Sequence, residues 1–216
     1  TSFIISRTGF IYQLFNTDYW AYHLGLSTNN NLFLNQRSIG IEIDSWGGLI
    51  NSGGQWYPTI YNKKKDLQTF TPKENAIPVS LSNVQLYNKS NGYDQGFRGF
   101  FGFEKYTTDQ INAVRDLILS LKLKFPNIDL VYKEDVWDFT NKKTGMKGVS
   151  QNALNGISGI WTHVSYRKDK SDCHPQPELI QMLKDLSVNN NKNFNYSFSK
   201  NVNSRSNDVN LTSWIN

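Results

Sequence analysis

A chain of 216 residues with 38% hydrophobic and 14% aromatic content can bury one substantial core, which excludes a disordered polypeptide. No run approaches the roughly 18 apolar residues that a membrane-spanning helix needs, and a single cysteine, Cys173, excludes an intrachain disulfide framework. The net charge of +5 suits polyanionic partners such as an anionic cell wall, but so modest a balance is ordinary for solubility, and no specific nucleic-acid binding is expected.

Residues 2–15 predict a β-hairpin. Phe3, Ile4 and Ile5 form one β-branched and aromatic run, residues 10–15 form another, and Arg7, Thr8 and Gly9 make the turn. In residues 37–44, Ile39, Ile41 and Ile43 alternate with Ser38, Gly40, Glu42 and Asp44. A strand there turns Glu42 away from the isoleucine face. From residue 47 to 103 the periodicity fades; Gly, Pro, Asn and Tyr are frequent, and this stretch reads as a long irregular insertion with room for one small hairpin. Lys63, Lys64 and Lys65 read as a solvated loop within it.

The clearest helix starts at Thr107. Thr107 and Gln110 have capping-box spacing, Ile111, Val114, Ile118, Leu121 and Phe125 fall at helical intervals, and Pro126 ends the run. Leu130, Val131 and Tyr132 predict a strand. A second helix begins near Pro177 and carries Leu179, Ile180, Leu183 and Leu186. Residues 189–216 are rich in Asn, Ser and Lys and read as a tail or linker, with Leu211 and Trp214 as its docking candidates. The expected fold is α/β or α+β: one domain over residues 1–188, with a central mixed β-sheet flanked by helices and 47–103 inserted.

Only three histidines exist: His23, His163 and His174. The densest reactive stretch, residues 161–174, contains His163, Lys170, Asp172, Cys173 and His174. Zinc accepts imidazole nitrogen, carboxylate oxygen and thiolate sulfur, and a catalytic site keeps three protein ligands and one water. The His163-to-Asp172 spacing is no generic zinc motif, and on its own the stretch reads as a polar surface loop. The plain reading of Glu42 is an edge-strand carboxylate paired with a lysine, and that of His23 is a hydrogen-bonded structural histidine.

Five separated segments together resemble the zinc-dependent N-acetylmuramoyl-L-alanine amidase family, which includes phage amidase lysozymes and animal peptidoglycan recognition proteins. Residues 2–14, SFIISRTGFIYQL, resemble its hairpin. WAYHLGLS at 20–27 resembles its A-W-H-A-G-x-S loop, and NQRSIGIE at 35–42 its N-x-x-S-I-G-I-E strand. YTTDQI at 106–111 resembles the opening of its long helix, and His163 followed by Lys170, Ser171 and Asp172 resembles its H…K-x-D segment. The segments occur in family order over most of residues 2–186. The 46–49 stretch WGGL, the long insertion and the 170–179 run KSDCHPQPEL are most similar to phage or Bacteroidetes-type members.

The resemblance implies a peptidoglycan recognition protein/amidase-like fold and hydrolysis of the amide joining N-acetylmuramic acid to L-alanine in bacterial peptidoglycan, as a cell-wall lytic or remodelling enzyme of the endolysin kind. It implies Zn2+ held by His163 and Asp172, with Cys173 the less favoured substitute for Asp172 and His174 a helix-entry or supporting residue. Lys170 would stabilise the oxyanion, and Glu42 would act as general base or orient the water. His23, Trp20 and Tyr22 would line the substrate groove. The family's first zinc ligand is a histidine on a strand before the hairpin, so that ligand is expected ahead of Thr1, with recruitment of His23 as the alternative. A monomer is expected. The competing readings are a peptidoglycan-binding module of the same fold that does not cut, and a structural adaptor of a phage particle.

Overall fold

The computed structural model describes residues 1–63, 70–137 and 147–189; Lys64, Lys65, Leu211 and Trp214 lie outside them. The two alternating segments near the start of the chain pair as their patterns require. β1 (Phe3–Ile5) runs antiparallel to β2 (Ile11–Gln13). After the short helix α1 (Asn31–Gln36), β3 (Ile41–Ile43) joins β1 in parallel, giving the order β2-β1-β3. The register places Ile4 between Tyr12 and Glu42, so these three share one face. Phe3 and Ile5, buried, occupy the other with Ile11, Ile41 and Ile43.

The insertion is more regular than its sequence suggests. β4 (Gly48–Ser52), β5 (Gln55–Pro58), β6 (Val84–Leu86) and β7 (Gly102–Glu104) form an antiparallel sheet in the order β5-β4-β7-β6. Its strands are only three to five residues long, and it is built by laying rings on glycines rather than by alternating aliphatics. The Phe100 ring covers Gly48 and the Trp56 ring covers Gly102, each at a distance that a Cβ would violate. That construction hides the two-residue period on which a sequence reading depends.

α2 (Thr108–Lys124) opens on the predicted capping box, the Thr107 and Gln110 side chains each bonding the other's backbone N–H. Ile111, Val114, Leu117, Ile118 and Leu121 form its buried stripe. After Pro126, residues 130–132 pair with no strand among the described residues. Asp129 Oδ1 accepts the Val131 N–H at 2.9 Å and turns the chain towards a 3-10 turn at Glu134–Val136. A local side-chain bond has displaced the expected strand.

Two short helices, α3 (Gln151–Leu154) and α4 (His163–Tyr166), precede α5 (Pro177–Asn189), which buries Leu179, Met182, Leu183 and Leu186. Phe3 and Ile5 of the first sheet, Phe103 of the second, Tyr87 and Phe97 beside it, and the stripes of α2 and α5 belong to one hydrophobic cluster. The fold is therefore α+β, with two sheets sharing a core. Among the described residues no helix is long and apolar enough to cross a membrane.

Candidate functional site

His163 opens α4, and its position is set from beneath. Thr162 Oγ1 and Ser165 Oγ both donate to the Val136 carbonyl, at 3.1 and 2.7 Å. The imidazole then meets two groups that can only accept. Nδ1 lies 2.8 Å from Asp172 Oδ2, and Nε2 lies 3.0 Å from the Leu24 carbonyl. A neutral imidazole has one N–H and can satisfy one of them. If Nε2 donates to Leu24, the Nδ1 lone pair faces a carboxylate oxygen, and only a positive centre stabilises that encounter. In the other tautomer Nδ1–H donates to Asp172; in this one Nδ1 and Oδ2 present two donor atoms to a cation.

Metal-binding histidines commonly donate their other ring nitrogen to a backbone carbonyl, and the Leu24 carbonyl is placed to accept from Nε2 in that way. Nitrogen and carboxylate oxygen are both normal zinc donors. His163 and Asp172 thus fit two positions of a zinc site. Among the described residues no group of three or more His, Cys, Asp and Glu side chains assembles. The pair is reachable, with side-chain exposures of 21% for His163 and 52% for Asp172.

Asp172 sits in a loop closed at both ends. Arg167 forks onto Asp169 at 3.0 and 2.6 Å, and Trp137 Nε1 donates to the Cys173 carbonyl at 2.6 Å. Partial burial acts to raise the Asp172 carboxyl, but the hydrogen bond and charge of His163, with Lys170 nearby, more than offset it and leave the pKa lowered. Lys170 lies two residues before Asp172 in the same loop. Glu42 projects from the outward face of β3, where it accepts from Thr1 Oγ1 at 3.1 Å. Its charge reaches both His23 and Cys173, the neighbours of His163 and Asp172 respectively. Among the described residues no lysine pairs with Glu42.

His23 forms part of the wall. Nδ1 bonds the Ala21 carbonyl at 2.8 Å and Nε2 bonds Ser38 Oγ at 2.9 Å. Both nitrogens are engaged in its own neighbourhood, which favours a structural histidine and leaves no ring nitrogen for a metal. Burial lowers its pKa, helped by nearby His163 and opposed by the Ala21 carbonyl and Glu42. Trp20 and Tyr22 are exposed, at 42% and 62%, and meet edge to face with centroids 5.2 Å apart. They precede Leu24 by four and two residues, so the loop that bonds His163 also presents an aromatic pair to solvent.

The two other candidates are structural. Burial carries the Cys173 thiol up to about 12, with Asp172 and Glu42 adding to the rise, so it stays protonated at neutral pH and makes a poor ligand. His174 is fully buried, stacked between Phe103 and Tyr106 with centroids 4.7 and 4.8 Å away. Its Nε2–H donates to the Glu104 carbonyl at 3.0 Å, and Nδ1 accepts from the Tyr87 hydroxyl at 2.9 Å.

Three groups at the site carried no role in the sequence reading. The Leu24 carbonyl is backbone, which no residue type reveals. Asn35, fully buried, holds that carbonyl's turn: its Oδ1 accepts from the His23 and Leu24 N–H groups at 2.7 and 3.1 Å. Arg98 reaches the segment from the connection between β6 and β7, and a lone arginine in a glycine-rich run gives no signal of this. Comparison with family models, with characterised proteins and with solved structures finds no match for this chain.

Proposed function

We propose that this chain is a zinc-dependent N-acetylmuramoyl-L-alanine amidase, built on the peptidoglycan recognition protein/amidase-like fold, that cleaves the amide between N-acetylmuramic acid and L-alanine in bacterial peptidoglycan. One observation carries the reading: the His163 ring is held between the Asp172 carboxylate and the Leu24 carbonyl, so that with Nε2–H on Leu24 the Nδ1 lone pair and a carboxylate oxygen lie side by side. The order of the family-like segments supports it, since residues more than a hundred positions apart gather at one place.

Zinc, when bound, supplies polarisation of the scissile carbonyl and a water of lowered pKa, near 7. The chain's own residues do the rest. His163 and Asp172 would hold the metal, with the Leu24 carbonyl accepting from Nε2–H and leaving Nδ1 for it. Glu42, on a strand that fixes its direction, takes the proton from the attacking water. Lys170 faces the carbonyl oxygen as it becomes an oxyanion. Trp20 and Tyr22 offer flat apolar surface to the substrate beside His23, and the second sheet bounds the stem-peptide side. The reading needs one more protein donor, which the family resemblance places on a strand ahead of the hairpin.

Having two such donors together among the described residues also fits a peptidoglycan-binding module that does not cut. Metal analysis and stem-peptide release from purified peptidoglycan separate the two. Stoichiometric zinc with release means enzyme; retention on peptidoglycan without release means binding module. Asp172→Ala is expected to lose the metal, while Lys170→Ala and Glu42→Gln keep it and lose most turnover. Equal zinc in the parent and Asp172→Ala removes Asp172 from the ligand set.

A further inference from the structure

Phe97 and Phe100 exchange both backbone hydrogen bonds, at 2.9 and 3.0 Å, around Arg98 and Gly99. The φ angles of these two central residues are 54° and 91°. The turn is thus a two-residue connection with both central residues left-handed, a type I′ geometry that favours Asn, Asp or Gly at its first position. An arginine there is held in a conformation that L residues avoid. Its side chain is also 2% exposed. A buried cation is normally matched by a carboxylate, yet every group that Arg98 bonds is a backbone carbonyl.

Those carbonyls identify what the side chain holds. Nη2 donates to Gly148 and Val164 at 3.0 Å each, and Nη1 donates to Arg167 and Lys168 at 3.3 and 3.2 Å. Three of the four belong to α4 and the residues that lead directly from it to Lys170 and Asp172. α4 has only four residues, too few to satisfy its own carbonyls or to persist by itself. A guanidinium is suited to this work because its donors project in a rigid planar fork, whereas a lysine would supply a single mobile point. A neutral residue could make the turn more cheaply, and burial indeed acts against the charge by lowering the Arg98 pKa.

We propose that Arg98 is the positioning residue of the site: from the tip of its turn it clamps the 164–168 backbone and so sets the distance and angle between His163 and Asp172. The second sheet thereby acts on the chemistry without contributing a reacting group. The consequence for turnover rests on the amidase reading; the consequence for the His163–Asp172 geometry does not.

The test uses the full chain, with Arg98→Gly, which accepts the left-handed turn and deletes the cation, and Arg98→Lys, which keeps a cation without the fork. Three quantities are measured: cooperative unfolding by near-ultraviolet dichroism, the His163 imidazole nitrogen resonances by nuclear magnetic resonance, and stem-peptide release with zinc present. Arg98→Gly is expected to unfold cooperatively, to lose the parent's His163 resonance pattern, and to release stem peptide about 100-fold more slowly, the order of loss that a displaced reacting group produces. Millimolar methylguanidinium should recover part of that rate in Arg98→Gly and leave the parent unchanged, a response that a general loss of stability does not give. Arg98→Lys should show an altered His163 pattern and an intermediate rate. A parent-like His163 spectrum in Arg98→Gly overturns the proposal; if that variant does not fold, a parent-like spectrum in Arg98→Lys overturns it. A parent that binds zinc but releases no stem peptide defeats the amidase reading, and the His163 spectra then still decide the role of Arg98.

Discussion

The two sheets divide the work between them. The first, β2-β1-β3, buries one face and leaves the other open, and on that open face lies Glu42, in line with Ile4 and half-exposed Tyr12. The second, β5-β4-β7-β6, places no candidate reacting group at the site, yet its residues and their neighbours pin the segment that does: Arg98 holds the Val164 carbonyl of α4 and the Arg167 and Lys168 carbonyls just after it, and Tyr87 and the Glu104 carbonyl hold His174 two residues beyond Asp172. The candidate site is thus braced by an insertion that contributes none of its candidate reacting atoms. The difference also explains why one sheet announces itself in the sequence and the other does not.

The sharpest way to break this contrast is to cut the same amount of aromatic surface from each sheet. Phe103, on β7, is fully buried and packs against Phe97, Tyr87, Phe100 and His174. Phe103→Ala should cost about 3–5 kcal/mol, the range for deleting a buried phenylalanine ring. Tyr12→Ala, on the exposed side of β2, should stay within about 0.5 kcal/mol, as surface changes do. Denaturant unfolding of both variants checks the pair. Two separate transitions in Phe103→Ala would mean that the second sheet is an appended unit, contrary to the shared core. Equal losses in the two variants would erase the contrast.

A smaller effect comes from the histidine held against the second sheet. Burial lowers the His174 pKa to about 3, partly opposed by the Glu104 carbonyl that accepts from it. An unfolded histidine titrates near 6.5. Between these values the unfolded chain binds a proton that the native chain refuses, so native stability falls as pH falls through that window. The slope from this one group approaches about 1.4 kcal/mol per pH unit. Stability measured by urea unfolding between pH 7 and pH 4 should show that loss, and His174→Gln should flatten it while lowering stability at pH 7. An unchanged slope in His174→Gln would show that other groups carry the acid sensitivity.

How far the sequence discloses this arrangement follows from its physics. The hairpin, the Ile–Glu strand and both long helices are legible because each writes a period of two or 3.6 residues, and the Thr107–Gln110 box marks its helix start outright. The four-stranded sheet is not legible, because glycines under Phe100 and Trp56 replace the alternating aliphatics. The strand expected at 130–132 fails for a local reason, the capture of the Val131 N–H by Asp129. At the site, His163 and Asp172 lie in direct contact although nine residues separate them in sequence. His23 proves harder to read from type alone, since both its nitrogens are engaged nearby. The carbonyl of Leu24 and the clamp of Arg98 depend on tertiary placement and leave no local trace.

The smallest effect tests where the two sheets meet the long helix. Thr107 follows β7 by three residues and caps α2, accepting from the Gln110 N–H at 3.1 Å, while its hydroxyl donates to the Arg7 carbonyl of the first hairpin at 2.8 Å. One side chain therefore serves a helix end and a junction between sheets. Thr107→Ala should cost about 1 kcal/mol if capping is its whole contribution, since lost caps range over about 0.5–2 kcal/mol. A larger loss would assign the excess to the Arg7 bond and make the hairpin–helix contact part of what holds β1 in register. Thr107→Ser retains the oxygen and should recover most of the loss in either case. Failure of serine to recover it would move the contribution from the hydroxyl to the packing of the threonine methyl, and the junction would then be apolar rather than hydrogen-bonded.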